Sequence, residues 1–214
     1  MPDRVEGYSA LCHAKLEARG RVRRARLGVN FLSPDRIRLE VLDPAGNSRA
    51  LLVAAPAGAL LLDPIHRRFE TYPNGAEAVA TLMGLAAPPD LLAMLLLGPE
   101  RAASSSACAA GSGRAEDSLL HCRLVGGGEL AFTEGAPDRA DLRTAEGSPR
   151  LLLRWERRAA HPRSLPQSLE VRQDDSGTVL RLEPIQVQFS SPSADLFDLE
   201  PPSGFVPGIA ETDW

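Results

Sequence analysis

Between Arg36 and Leu42 the chain reads Arg-Ile-Arg-Leu-Glu-Val-Leu, so that Ile37, Leu39 and Val41 alternate with Arg36, Arg38 and Glu40. A repeat of two is the period of an extended strand, whose successive side chains leave opposite faces; this segment must bury one face and wet the other. A lone strand cannot do that, so the segment demands a sheet. The same texture recurs around it. Leu27, Val29 and Phe31 alternate with Arg26, Gly28 and Asn30, and further strands fit Arg49 to Ala55, Leu60 to Leu62 and Arg67 to Tyr72. Between them lie Ser33-Pro34-Asp35, Asp43-Pro44-Ala45-Gly46-Asn47, Pro56-Ala57-Gly58 and Asp63-Pro64, residues that turn a chain because they preset or relax φ or bond their own backbone.

Strands are also expected at Leu119 to Val125, Leu130 to Phe132, Leu151 to Arg158, Ser168 to Gln173 and Thr178 to Phe189, which brings the count to about ten. Three segments read as helical. Val5, Tyr8, Cys12 and Leu16 recur at three or four residues, predicting an amphipathic helix over roughly Asp3 to Ala18. Asn74 is placed to cap a helix from about Gly75 to Leu85, and Pro88-Pro89-Asp90 opens a second, Leu91 to Leu97. That second helix is apolar all round, so it must be covered by the sheet or lie against lipid. Arg101 to Asp117 reads as a bland loop, Pro137 to Ser148 as a polar one, and Ala194 to Phe197 as a helical turn.

At 214 residues the chain is expected to form one domain, 1–214, with a flexible loop at about 100–118. Its 24 basic and 28 acidic residues are dispersed and sum to −4, which provides no broad positive field for a phosphate backbone, and nucleic acid is not an expected partner. No run approaches the ~20 apolar residues of a membrane-spanning helix. Met1-Pro2-Asp3-Arg4 lacks the apolar core of a signal peptide, and Tyr8 to Leu11 is too short and polar to make Cys12 a lipidation site; a signal or anchor upstream of this sequence stays open. The three cysteines leave at least one thiol unpaired. Cys108 and Cys122 could pair in an oxidising compartment, and buried free thiols are the alternative.

Catalytic chemistry has no visible seat. His121 beside Cys122 is not a dyad, because adjacent strand residues point to opposite faces. His13, His66, His121 and His161 are scattered rather than spaced as metal ligands, and Asp43, Asp63 and Asp174 sit in turns where carboxylates serve the backbone. The expectation is therefore no enzyme, no metal and no cofactor.

The order of these pieces resembles a known superfamily. Ser33 to Gly46, then Leu60-Leu61-Leu62-Asp63-Pro64, Arg67-Arg68-Phe69, the helical pair ending Leu95-Leu96-Leu97-Gly98, and Leu196-Phe197-Asp198-Leu199-Glu200-Pro201-Pro202-Ser203-Gly204 together resemble the LolA and LolB outer-membrane lipoprotein carriers and receptors, and most nearly the LolB-like lipoprotein branch of Gram-negative bacteria. The resemblance implies a mainly β fold with some α structure: an unclosed, strongly curved antiparallel β-barrel with helices in or across its concave face. It also implies a periplasmic, monomeric, chaperone-like carrier or receptor, held at the inner leaflet of the outer membrane by a native N-terminal lipid anchor and taking up lipoprotein or lipid acyl chains. LolB-type receptors carry an apolar tip on a loop between strands; the corresponding loop here, Asp43 to Arg49, is polar, so that device is not carried over.

On this reading the apolar cavity is lined by Leu39, Val41, Leu51, Val53, Leu60, Leu62, Leu153, Trp155 and Leu182 from the strands and by Leu92, Leu95 and Leu96 from the helix. Leu151 and Leu180, on the same strand faces, are expected to line it with them. Ordinary core packing is the competing account of the same residues, and a structural or interaction lipoprotein with a filled interior is the competing function.

Overall fold

The computed structural model describes residues 6–32, 35–85, 87, 92, 96, 107–110, 119–123, 129–133, 136–143, 150–156 and 165–208. A long hairpin of β1 (Gly7–Ala18) and β2 (Arg21–Leu32) begins the chain. It continues as a meander through β3 (Arg36–Leu42), β4 (Ser48–Ala55), β5 (Gly58–Asp63) and β6 (Arg68–Tyr72) to the helix α1 (Gly75–Met83). A second meander comprises β7 (Ala107–Ala110), β8 (Leu119–Arg123), β9 (Glu129–Thr133), β10 (Ala136–Arg143), β11 (Leu151–Glu156), β12 (Ser168–Gln173) and β13 (Val179–Gln188). A 3-10 turn, Ala194–Phe197, and the short β14 (Val206–Pro207) follow.

Among the described residues all fourteen strands belong to one sheet, in the order β14-β6-β5-β4-β3-β2-β1-β13-β12-β11-β10-β9-β8-β7. Every pairing is antiparallel except β14 with β6. The two end strands are not paired with each other, so the sheet curves without closing. The two meanders meet where β1 pairs with β13.

The expected N-terminal helix is a strand. Tyr8, Cys12 and Leu16 are four apart, a spacing that suits one helix face but also keeps every residue on one strand face, because four is even. Ala10 and Ala14 decide between the two: together with Tyr8, Cys12 and Leu16 they form an unbroken period of two, and all five are buried. The β1–β2 turn has Arg19 at φ 50° and Gly20 at φ 73°, the pair of left-handed residues that a tight two-residue hairpin needs.

Two stretches expected to be loops contain strand residues, β7 within 101–117 and all of β10 but Ala136 within 137–148. Alanine, proline and charge in Ala136–Arg143 hide the period there, and tertiary pairing with β9 and β11 overrides weak propensity. The helix α1 does follow its sequence cue. The Asn74 carboxamide oxygen accepts the Glu77 N–H at 3.0 Å, and Gly84, at φ 68°, donates its N–H to the Ala80 carbonyl at 2.8 Å. Of the second expected helix, Leu92 and Leu96 are described and helical. The backbone register sets Cys108 directly opposite Cys122 on β7 and β8.

One face of the sheet carries the core. Tyr8, Ala10, Cys12, Ala14 and Leu16 from β1 adjoin Leu27, Val29 and Phe31 from β2, Ile37, Leu39 and Val41 from β3, and Leu180 and Leu182 from β13. From α1, Ala78, Val79, Leu82 and Met83 pack onto that face against β4, β5 and β6. The opposite face is charged along β11 to β13, where Arg181 meets Glu156 at 2.8 Å and Glu183 at 3.1 Å.

Candidate functional site

The inner face forms a trough, and its register can be followed residue by residue. Leu39 pairs with Leu52 and Val41 with Ala50, so β4 presents Ala50, Leu52 and Ala54 to the trough; Leu52 pairs with Leu61 and Ala54 with Ala59, so β5 presents those two. Leu51 pairs with Glu40 and Leu62, and Val53 with Arg38 and Leu60. Leu51, Val53, Leu60 and Leu62 therefore lie on the outer face, not with Leu39 and Val41 as the sequence reading grouped them. The physical reason is that β4 and β5 are apolar on both faces, so their sequence does not mark which set of alternate residues points inward.

Leu39, Val41, Leu92, Leu96, Leu153, Trp155 and Leu182 all belong to the buried inner cluster, as do Leu151 and Leu180. Leu95 lies outside the described residues. At the centre, Leu39, Leu92, Leu96 and Leu182 converge with Leu27, Val29, Met83 and Leu180 around a residual cavity of about 10 Å³. That is roughly the room of one water molecule. Leu92, Leu96 and Met83 reach the trough from helical residues rather than from the sheet, and they occupy it in this conformation.

A second space opens at one end of the trough. A cleft of about 600 Å³ is floored by Leu16, Leu82 and Met83 and rimmed by Arg19, Arg21 and Arg23. Met83 lines both spaces, so a flexible thioether side chain lies between the cleft and the packed interior. The far wall carries hydroxyls: Ser176 Oγ donates to Thr178 Oγ1 at 2.9 Å, and the Thr178 N–H donates to Ser176 Oγ at 3.2 Å. The sequence reading missed the cleft, although a signal was there. Carrying the β2 alternation back from Leu27 leads through Ala25 to Arg23 and Arg21, on the inner face.

Reactive groups are muted where the core is deepest. Burial pushes the Cys12 thiol up to about 12, so it carries no thiolate at neutral pH. Asp43 and Asp63 serve turns as expected: Asp43 accepts the Asn47 N–H at 2.9 Å, and Asp63 accepts the N–H groups of Ile65 at 3.0 Å and His66 at 3.1 Å. Among the described residues no three His, Cys, Asp or Glu side chains gather as a metal site, and no helix is long and apolar enough to cross a membrane.

No protein-family model and no curated protein matches the chain. Solved structures do. A LolA superfamily protein from Nitrosomonas europaea superposes with a TM-score of 0.59 at 9% identity, over 91% of this chain and 90% of that one. A DUF1329 family protein from Desulfovibrio piger gives 0.60 at 9% identity, over 92% and 91%. An outer-membrane lipoprotein-sorting protein domain from Vibrio parahaemolyticus gives 0.50 at 8% identity, over 91% and 90%. With an unclosed, curved sheet and a helix against its inner face, the chain shares its fold with these structures, a LolA superfamily protein among them.

Proposed function

We propose that this protein is a non-catalytic, monomeric, one-domain carrier or receptor that takes the acyl chain of a lipoprotein or other lipid into its trough. In this reading it works in the periplasm of a Gram-negative bacterium, tethered to the outer membrane by a native lipid anchor. The supporting observation is that helical residues, Leu92, Leu96 and Met83, fill the apolar trough beside an open cleft. Side chains supplied by an element packed onto the sheet can be exchanged for a guest, whereas side chains of the sheet itself cannot. The names of two structural neighbours, a LolA superfamily protein and a lipoprotein-sorting domain, point the same way.

Magnitudes permit the exchange. Burying an acyl chain of about sixteen carbons contributes roughly 12 kcal/mol at ~0.8 kcal/mol per CH₂. Displacing two leucines and a methionine costs about 1.5–3 kcal/mol each, or roughly 5–9 kcal/mol together. The guest wins if the remaining sheet stays folded.

The small central cavity favours a second reading, a permanently filled interior and an interaction role in the envelope. Titration with a fluorescent fatty acid distinguishes the two. With Trp214→Phe leaving Trp155 as the sole indole, the carrier reading expects saturable one-to-one uptake that quenches Trp155, which is buried in the inner cluster. Native mass spectra should show the matching single adduct. Absence of both signals in folded protein leaves the filled-core reading standing.

A further inference from the structure

The inner face of β1 carries its smallest side chains in the middle. Leu16 stands at the floor of the cleft, Ala14, Cys12 and Ala10 follow, and Tyr8 ends the row. The strands on either side are taller there. Pairing sets Leu27 of β2 opposite Cys12 and Val29 opposite Ala10, while β13 sets Leu180 opposite Leu16 and Leu182 opposite Ala14. One low strand between two tall ones makes a furrow, with walls two strand spacings, or about 10 Å, apart between backbones. The residual central cavity touches Leu27 and Val29 on one wall and Leu180 and Leu182 on the other, so it lies on the line of β1, and Leu92, Leu96 and Met83 fill the furrow around it.

The furrow has a stop. At the end away from the cleft Tyr8 pairs with Phe31, both buried, with ring centroids 5.7 Å apart and planes at 43°. From Leu16 to Ala10, the last small residue before the rings, the strand runs about 20 Å at ~3.3 Å per residue. A ~1.5 Å carbon–carbon bond advances ~1.3 Å along an all-trans chain, so that length takes about sixteen carbons.

We infer that the furrow over β1 seats the acyl tail and that Tyr8 and Phe31 set its length: the guest carries an unbranched chain of about sixteen carbons, laid along β1 with its head at the cleft and its methyl end against the two rings. This deepens the acyl-chain reading and rests on it. Alanine and cysteine on the floor leave the furrow open once the helical side chains withdraw, whereas a leucine at Ala10 would cross it. A plainer role for the aromatic pair is to close the core where the sheet ends. That role moves stability, and with it the affinity for every tail alike; it sets no length.

The test displaces the fluorescent fatty acid from the full chain with saturated fatty acids of about ten to about twenty carbons, each kept monomeric below its solubility limit. Affinity is expected to rise about fourfold per added CH₂ as far as about sixteen carbons and to stop rising there. Ala10→Leu moves the stop two residues toward the cleft and is expected to bring the break down by about five carbons. Phe31→Leu, which opens the stop, is expected to move the break upward. Wild-type affinity that climbs without a break through about twenty carbons overturns the length stop whether or not either variant folds. A break at the same length in the wild type and both variants overturns it too, and either result leaves the acyl reading intact. A wild type that binds neither the fluorescent probe nor any of the acids overturns the acyl reading and this inference with it.

Discussion

The two faces of β4 and β5 are both apolar, yet they are built differently. The inner face presents Ala50, Leu52, Ala54, Ala59 and Leu61, three of the five being alanines, and α1 lies on it with Ala78 fully buried. The outer face presents Leu51, Val53, Leu60 and Leu62, with the small residues Ala55 and Gly58 only beside the β4–β5 turn, and the 3-10 turn packs against β3 and β4 with Phe197 buried but outside the inner cluster. Small residues let a helix axis approach a sheet closely; larger ones meet a side chain that arrives from farther away. The difference teaches that in a strand buried on both sides, side-chain size rather than polarity marks which face a helix covers. The chain after β13 reaches the outer face by a close crossing. A Cβ on Gly7 would lie 2.9 Å from Pro192 Cδ and 3.1 Å from Ser191 Cα, so no larger residue fits there without displacement.

Three substitutions or conditions probe that contrast. Phe197→Ala should have the largest effect, about 3–5 kcal/mol lost in denaturant unfolding, because it leaves a large aromatic void on the outer face. Uptake of the fatty-acid probe per folded molecule should be unchanged; a binding defect would mean that the two faces are not independent. Ala78→Leu comes next, at about 1–3 kcal/mol from overpacking between α1 and the sheet. A neutral outcome in urea melts would show that the helix can ride outward and that small size is not required. The smallest effect concerns register. A slip of one residue would exchange the faces of β4, and alternation cannot prevent it there, so the Asp43 to Asn47 turn and the bulge after Val41 must hold the pairing. The Asn47 backbone N–H, the Asn47 side chain and Arg49 hold the Asp43 carboxyl at about 2, below the ordinary 3.8. A depressed carboxyl stabilises the fold fully above about 4 and progressively less as pH falls toward about 2. Hydrogen exchange at the Leu51 and Leu52 amides should therefore accelerate between pH 4 and pH 2 relative to its intrinsic rate, and less steeply in Asp43→Asn; identical pH profiles would exclude the turn as the register lock.

The sheet was legible where polar and apolar residues alternate plainly along a strand. Arg36 to Leu42 shows both faces in its own sequence, as do the β5–β6 turn through Asp63 and the Asn74 cap of α1. It was illegible where chemistry does not alternate: β4 and β5 for want of polar residues, β10 for want of apolar ones. The first strand failed for arithmetic reasons, since Tyr8, Cys12 and Leu16 fit two periods and only the alanines between them choose. Of the trough, Leu39, Leu92, Leu96 and Leu182 were found because they are leucines on clear elements. The arginine rim was overlooked because a search for an apolar cavity stops where the apolar residues stop.

The β1–β13 seam has a kinetic meaning. Ser9 pairs with Gln188 and Leu16 with Leu180, partners separated by most of the polypeptide, while every other antiparallel neighbour is also a neighbour in sequence. Each meander can zip locally, but the ladder that unites them closes a very long loop and belongs late in folding. Until then β1 offers one unsatisfied edge, from Ser9 to Glu17, to whatever strand arrives first. A cell making this protein would need to keep that edge occupied, or unthreaded, until β13 has emerged.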